Sequence, residues 1–160
     1  MMFKKFDLDI SYGQISVFLS TIPQPFNDWT QAHFEQGFAW RVGSVSFATL
    51  KEAGKFIIDV LVTDNIDNNS NNSIRTIEVP FVIPENEQIE IASIADSLKI
   101  TIPSGKYTLK YELLSQEDAS KGHIRLIFRK SETKNFLVMR EDKKLIAQEN
   151  LLITANPASS

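Results

Sequence analysis

An alternation of apolar and polar residues with a period of two runs through most of the chain and limits its possible folds. Leu8, Ile10 and Tyr12 alternate with polar neighbours in the first run. The phase is reset after Gly13, as a bulge at a glycine would cause, so one strand or two halves of a strand begin the fold. Further runs, several of them rich in β-branched and aromatic residues, cover residues 44–50, 56–63, 74–83, 88–94, 97–102, 107–114, 123–129, 135–140 and 145–154. The pattern predicts a mainly β protein, an antiparallel β-sandwich or distorted barrel of roughly eight to ten strands.

Turn residues divide these runs. Pro103, Ser104 and Gly105 separate two alternating segments, which predicts a hairpin whose arms span residues 99–110. Pro80 lies inside the run 74–83, and because proline lacks an amide donor we expect an edge strand or a bulged strand there.

One short helix is predicted near residues 28–37. Asn27 or Asp28 can cap its first turn, and Gly37 can terminate it. A lone histidine on this helix, His33, is more typical of a surface or capping residue than of a catalytic base. Residues 141–148 fit either a second helix or a strand.

The length of 160 residues and the hydrophobic content of 42% are sufficient for one sizeable core. We expect a single β-sandwich domain over residues 1–155 and a frayed tail over 156–160. The chain has no cysteine, which excludes disulfides and thiolate chemistry. No apolar run approaches the length of a membrane span, and a cytoplasmic protein without a cofactor is the expectation.

Charge is unevenly distributed along the chain. Residues 6–98 contain 13 acids and four bases, a balance of −9, whereas bases outnumber acids from Lys99 onward. An acidic field repels DNA phosphates and attracts basic surfaces, so this part is a poor nucleic-acid binder and suits binding to a basic protein. Acids that merely solvate exposed strand faces are the alternative interpretation.

Motifs for catalysis or metal binding are weak. Phosphate-binding glycine loops and serine-hydrolase elbows are absent from the sequence. The ligand spacing of a calcium loop is matched by Asp67, Asn69, Asn71 and Glu78. The sixth position, where glycine normally allows a sharp turn, is occupied by Asn72. The alternative is a solvated, asparagine-rich connection between strands. We therefore predict no metal site and keep the calcium loop as a weak candidate.

A basic and aromatic stretch offers a local case for nucleic-acid binding; it comprises Arg125, Phe128, Arg129, Lys130, Lys134, Phe136 and Arg140. Strands with basic outer faces and aromatic inner faces produce the same pattern, and we favour that interpretation. Direct nucleic-acid binding is therefore not expected.

Several segments in order, over about residues 7–114, resemble the competence protein J family, the inhibitors of a DNA-entry nuclease. They are Leu8-Asp9-Ile10-Ser11-Tyr12, Asp28-Trp29-Thr30, Val79-Pro80-Phe81, Ile89-Glu90-Ile91-Ala92-Ser93-Ile94 and Pro103-Ser104-Gly105-Lys106-Tyr107-Thr108-Leu109. The resemblance implies a non-enzymatic protein whose partner is a metal-dependent DNA nuclease and which reaches a membrane only through that partner. Tyr12, in this scheme, is a fold determinant rather than a contact.

The expected partner-binding residues are Asp28, Trp29, Glu35, Asp64 and Asp67. Trp29 is the predicted anchor and the acids are the predicted phosphate mimics, because buried aromatics dominate interface energy while rim charges steer. For Asp28 and Trp29 the alternative is a structural role, with the aspartate capping the helix and the tryptophan packing on the sandwich. Two other functions stay open: an immunity-like module that binds protein or carbohydrate, and an enzyme that uses clustered carboxylates or a loop-bound metal.

Overall fold

Two β-sheets and one short helix make up most of the described chain. The computed structural model describes residues 2–65, 73–115, 121–140, 143–144 and 151–159. The elements in chain order are β1 (Met2–Ile10), β2 (Gln14–Leu19), α1 (Gln31–Gln36), β3 (Phe38–Arg41), β4 (Ser44–Ala48), β5 (Gly54–Thr63), β6 (Ser73–Ile83), β7 (Ile89–Ala92), β8 (Ser97–Ile100), β9 (Gly105–Leu114), β10 (Gly122–Lys130), β11 (Leu137–Arg140) and β12 (Lys143–Lys144). The run 38–41, now β3, was not among the predicted strands.

The strands form a seven-stranded sheet in the order β1-β5-β10-β9-β6-β11-β12 and a five-stranded sheet in the order β3-β4-β2-β7-β8. All neighbouring pairs in the described chain are antiparallel except β5 with β10, which run parallel. The prediction of an antiparallel β-sandwich is confirmed, and the described strands close no barrel.

The core lies between the two sheets because one face of each strand is apolar. In β5, Phe56, Ile58 and Val60 are buried on the inner face, while Lys55 and Asp59 project from the other face. Burial of side chains such as these stabilises the fold by roughly 1.5–3 kcal/mol each.

An aromatic contact joins the central strand of the large sheet to the second strand of the small sheet. The rings of Phe47 on β4 and Tyr111 on β9 stack with their centroids 4.5 Å apart and their planes 2° apart. The Tyr111 hydroxyl donates a 2.9 Å hydrogen bond to the Ala48 carbonyl oxygen, which also belongs to β4. This contact supplies both apolar area and a directional bond between the sheets.

The outer face of the large sheet carries a row of ion pairs and hydrogen bonds between side chains of neighbouring strands. Lys5 Nζ lies 3.4 Å from Asp59 Oδ1, and His123 Nε2 lies 2.7 Å from Asp59 Oδ2. Arg125 on β10 pairs with the fully buried carboxylate of Glu112 on β9 at 3.4 Å. Cross-strand pairs of this kind stabilise the pairing of neighbouring strands.

The predicted hairpin at Pro103-Ser104-Gly105 is wrong. β8 pairs with β7 in the small sheet, whereas β9 pairs with β6 and β10 in the large sheet. The segment between them crosses from one sheet to the other. Its turn residues were correctly identified, but turn chemistry does not distinguish a hairpin from a connection between sheets.

The chain also changes sheet between β1 and β2. β1 pairs with β5 in the large sheet, whereas β2 pairs with β4 and β7 in the small sheet. Between them, Tyr12 and Gly13 both have positive φ angles, 56° and 63°, which produce a tight turn. The reset of phase therefore reports a turn between sheets, not a bulge within one strand.

Pro80 lies in a strand that is not at the edge of its sheet. β6 is placed between β9 and β11, but the β11 ladder reaches only from Thr76 to Glu78. Beyond that ladder the indole Nε1 of Trp40 donates a 2.8 Å hydrogen bond to the Pro80 carbonyl oxygen. The prediction of an edge strand therefore holds only around Pro80, where β6 has no β11 partner. The predicted bulge is not at Pro80, because the register shift of β6 lies between Ser73 and Arg75.

The tail differs from the frayed end expected from its composition. Asp28 N–H donates to the Asn156 carbonyl oxygen at 2.8 Å, and Ala158 N–H donates to the Phe26 carbonyl oxygen at 2.8 Å. Residues up to Ala158 are thus tied to the chain before α1. The helix or strand expected at 141–148 lies mostly outside the described residues; Lys143–Lys144 form β12.

Replacement of Tyr111 by phenylalanine tests the contact between sheets. Burial raises the pKa of the Tyr111 phenol well above its ordinary value of 10.0, with Arg75 opposing the shift. The unfolded chain therefore ionises first, and the wild-type protein loses stability as the pH rises above 10.0. We expect Tyr111→Phe to cost about 1 kcal/mol near neutral pH through the lost hydrogen bond.

The difference in unfolding free energy between the two proteins should shrink in urea titrations near pH 11, by up to about 1.4 kcal/mol per pH unit. Tyr12→Phe, at an exposed tyrosine, is the matched control and should show no such convergence. A pH-independent difference for Tyr111→Phe would contradict the assigned environment.

Candidate partner-binding surface

The chain before α1 is fastened to the small sheet by Asn27. The Asn27 side-chain amide donates to the carbonyl oxygens of Ala39 and Ser44 at 2.9 and 3.3 Å. Arg41 Nε donates to Asn27 Oδ1 at 2.6 Å. A buried side chain thus satisfies backbone groups of β3 and β4, which positions the following residues over the end of the sandwich.

Thr30 is the N-cap of helix α1, so the prediction that Asn27 or Asp28 caps this helix is wrong. Thr30 Oγ1 accepts the His33 N–H, and the Thr30 N–H donates to His33 Nδ1 at 2.9 Å, which together form a capping box. Asp28 lies outside the helix because its own amide binds Asn156. Gly37 ends the helix with a φ of 92°, as predicted.

We call residues 151–158 the carboxyl-terminal strap, because they run along α1 and bind its buried side. The Gln36 amide donates to the Leu152 carbonyl oxygen at 2.9 Å and accepts the Leu152 N–H at 2.8 Å. Since His33 Nδ1 accepts from Thr30, Nε2 carries the proton and donates to the Thr154 carbonyl oxygen at 2.9 Å. The bonds to Thr30 make His33 a capping residue, which was one of the two sequence-based interpretations. The other, a surface residue, is excluded because His33 is buried.

Three aromatic rings line one small depression at this end of the sandwich. We call Tyr12, Trp29 and Phe34 the aromatic surface. Trp29 is half-buried, lies 5.1 Å from the Phe34 ring centroid and donates from Nε1 to Gln14 Oε1 at 3.1 Å. Tyr12 and Phe34 are 70% and 61% exposed. Large aromatic side chains left open to solvent together are typical of interaction sites.

Two exposed acids adjoin the aromatic residues in the chain, and a third lies beside the Tyr12 turn. Asp28 and Glu35 are exposed and flank Trp29 and Phe34 in sequence. Glu52 is also exposed, and its backbone carbonyl accepts the Gly13 N–H at 2.7 Å, which places it beside the Tyr12 turn. The structure therefore brings three of the predicted contacts, Asp28, Trp29 and Glu35, to one end of the sandwich.

Asp64 lies at the opposite end. It follows β5, whose last residues pair with Met2 and Arg129, whereas Gly54 at the start of β5 pairs with Ile10 beside the Tyr12 turn. Burial raises the pKa of Tyr107, and the Asp64 carboxylate adds to this shift, which places Asp64 at the Tyr107 end. β5 is roughly 30 Å long, so one small contact surface does not include both ends. Asp67 lies outside the described residues.

The calcium-loop candidate receives no support from its described member. Asp67, Asn69 and Asn71 lie outside the described residues, while Glu78 lies within β6 with its carboxylate 3.8 Å from Arg129. Within the part of the chain that the structure describes, no group of three or more histidine or acidic side chains is arranged to hold a metal ion.

The basic and aromatic stretch has the arrangement of ordinary strands. Phe128 is buried between Phe81 and Tyr107, while Arg125 and Arg129 pair with acids on the outer face. β10 and β11 share the large sheet but are not neighbours.

The described part of the chain contains no helix long and apolar enough to cross a membrane.

Sequence reasoning missed Tyr12, Phe34 and Glu52 as surface residues. Tyr12 continued the alternation of Leu8 and Ile10 and was taken as a fold determinant, but it projects from the turn into solvent. The available signal was its position before Gly13, where a turn residue such as asparagine is more typical.

The described arrangement defines a class of protein, a small β-sandwich with exposed aromatic and acidic side chains at one end. The chain belongs to the competence protein J (ComJ) family, whose sequence model matches residues 7–134. A DNA-entry nuclease inhibitor of Bacillus subtilis (strain 168) is 35% identical over 104 residues, which are 64% of this chain and 76% of that protein.

A solved structure has the same fold. It is the crystal structure of ComJ, inhibitor of the DNA degrading activity of NucA, from Bacillus subtilis. The alignment has a TM-score of 0.67 at 26% identity and covers 82% of this chain and 100% of that chain. The family resemblance identified in the sequence is thereby confirmed.

Gln36 is the residue through which the strap can be tested. Gln36→Leu replaces the side chain by an apolar one of similar size. It removes two hydrogen bonds to Leu152 and one to the Phe38 carbonyl oxygen. We expect a loss of about 1–3 kcal/mol in unfolding free energy, measured by urea titration, and faster amide exchange over 151–158.

The control for this experiment is Gln31→Leu, at an exposed position on the same helix. It should change stability by less than about 0.5 kcal/mol. Equal stability of the Gln36→Leu variant and the wild type would show that these bonds do not hold the strap.

Proposed function

We propose that this protein is a non-enzymatic inhibitor that binds a metal-dependent DNA nuclease and blocks its cleavage of DNA. The observation that carries the proposal is membership of the ComJ family, which includes a DNA-entry nuclease inhibitor 35% identical to this chain. The end of the sandwich that carries Asp28, Trp29 and Glu35 is the proposed contact surface.

The chemistry of a nuclease supports this assignment. A nuclease holds phosphates with cationic side chains and a divalent metal, so its active-site cleft attracts a surface that presents carboxylates. Asp28 and Glu35 offer carboxylates without offering a bond that can be cleaved. Trp29 lies between them in the chain and supplies the apolar contact area that dominates binding energy in protein interfaces.

Asp64 and Asp67 have a weaker claim as phosphate mimics. Asp64 lies at the end of β5 remote from Trp29, so it would need a second contact with the nuclease. We place the protein in the cytoplasm, reaching a membrane only through its partner. An immunity-like protein that binds a partner other than a nuclease is the second candidate, because the aromatic surface fits protein binding in general.

A titration of DNA degradation tests the function. The host's DNA-entry-type nuclease is mixed with increasing amounts of this protein, and the remaining cleavage of DNA is measured. We expect loss of activity with a break near equimolar ratio, because a tight complex is stoichiometric. Undiminished cleavage at saturating protein would refute nuclease inhibition and favour the second candidate.

Variants of the contact surface separate anchoring from steering. Trp29→Ala should weaken inhibition about 30-fold through faster dissociation, since a buried aromatic anchor contributes about 2 kcal/mol or more. Asp28→Asn with Glu35→Gln should slow association at low salt and have little effect at high salt. Both effects are measurable by surface plasmon resonance with immobilised nuclease.

Glu85→Gln is the matched control, because Glu85 is an exposed acid that follows β6 at the far end of the sandwich. It should leave both rates unchanged. Asp64→Asn decides whether the far end takes part: an effect equal to that of the Asp28 and Glu35 changes would extend the contact to that end.

A further inference from the structure

We infer that Tyr12 and Phe34 are contact residues, which insert with Trp29 into an apolar cleft rimmed by cationic side chains on the nuclease. This inference rests on the proposed function and adds to it two residues that sequence reasoning did not assign. Three observations carry it: the backbone conformation of Tyr12, the exposure of both rings, and the exposed acids next to them in the chain or beside the Tyr12 turn.

Tyr12 occupies a backbone position that disfavours its side chain. Its φ of 56° lies in the left-handed region, where residues with a Cβ other than asparagine and aspartate are uncommon. The tight turn that it forms with Gly13 favours asparagine at this position. A tyrosine here strains the turn, and such strain is typical of functional sites.

Most of the area of both rings is left open to solvent, although the Phe34 ring also packs on Trp29. Tyr12 is 70% exposed and Phe34 is 61% exposed, whereas the neighbouring His33 and Gln36 are buried. No described hydrogen bond involves the Tyr12 hydroxyl. A strained and exposed tyrosine beside an exposed phenylalanine contributes area for a partner rather than for the core.

The charges beside the rings select the partner's chemistry. Asp28 and Glu35 are exposed and adjoin Trp29 and Phe34 in the chain, and Glu52 is exposed beside the Tyr12 turn, preceded on its loop by Lys51. The Glu52 carboxylate reaches to within 3.4 Å of the position that a Gly13 Cβ would occupy. Such a surface complements a cleft whose rim is cationic and whose floor is apolar. A nuclease cleft that binds DNA phosphates and bases has this character.

The test uses Tyr12→Asn in the full chain. Asparagine tolerates the left-handed turn, so we expect a melting temperature equal to or above that of the wild type. Inhibition of the nuclease should nevertheless weaken at least about tenfold in the DNA-degradation titration. Phe34→Ala, which replaces an exposed ring by a good helix former, should show the same combination of retained stability and weakened inhibition.

The matched control is Phe3→Ala. Phe3 is 58% exposed, but it pairs with Leu61 at the end of β1 remote from Tyr12. It should leave inhibition unchanged. An effect of Phe3→Ala as large as that of Tyr12→Asn would mean that exposed aromatics contribute without regard to place, which overturns the inference.

The remaining outcomes separate the inference from the function on which it rests. If the wild type inhibits and Tyr12→Asn inhibits equally well, the inference fails while the proposed function stands. A melting temperature several degrees lower for Tyr12→Asn would make Tyr12 a fold residue and also overturn the inference. Absence of inhibition by the wild type would overturn both.

Discussion

The contact between Phe47 and Tyr111, together with the Trp40 hydrogen bond to Pro80, links the two sheets and restricts their relative position. It joins β4 of the small sheet to β9, the central strand of the large sheet, through stacked rings and a hydrogen bond to Ala48. The hydrophobic effect favours burial of the two apolar faces but does not set their relative position. A stacked pair and a directional bond between the sheets restrict how they can slide and rotate.

The proposed contact surface depends on a second constraint, the fastening of an irregular segment from both sides. Asn27 binds carbonyl groups of the small sheet, while Gln36 and His33 bind the carboxyl-terminal strap. A six-residue helix has little stability of its own, so its position comes from these tertiary bonds. Because the segment is held in place, the backbone that carries Trp29 and Phe34 is already ordered, which lowers the entropy cost of the proposed contact.

The departures from sequence-based expectation share one physical cause. Alternation and turn residues are local properties, and they were sufficient for most strand positions, for the helix end at Gly37 and for the class of fold. They do not specify which strands pair, so the segment 99–110 was taken as a hairpin although β8 and β9 belong to different sheets. For the same reason Tyr12 was placed on a strand face rather than in a turn, and Asp64 was grouped with Asp28.

The sequence by itself determined a mainly β architecture, a sandwich or a distorted barrel, since an alternating apolar face has to be buried against another such face. It also determined the acidic character of residues 6–98 and carried the family segments. Only the tertiary structure decided which aromatic and acidic residues meet. Tyr12, Trp29 and Glu52 come from three separate parts of the chain, and their proximity depends on the change of sheet at Gly13 and on the Gly13 to Glu52 backbone bond. Pairings over such separations follow from the global packing of both sheets, which no local pattern encodes.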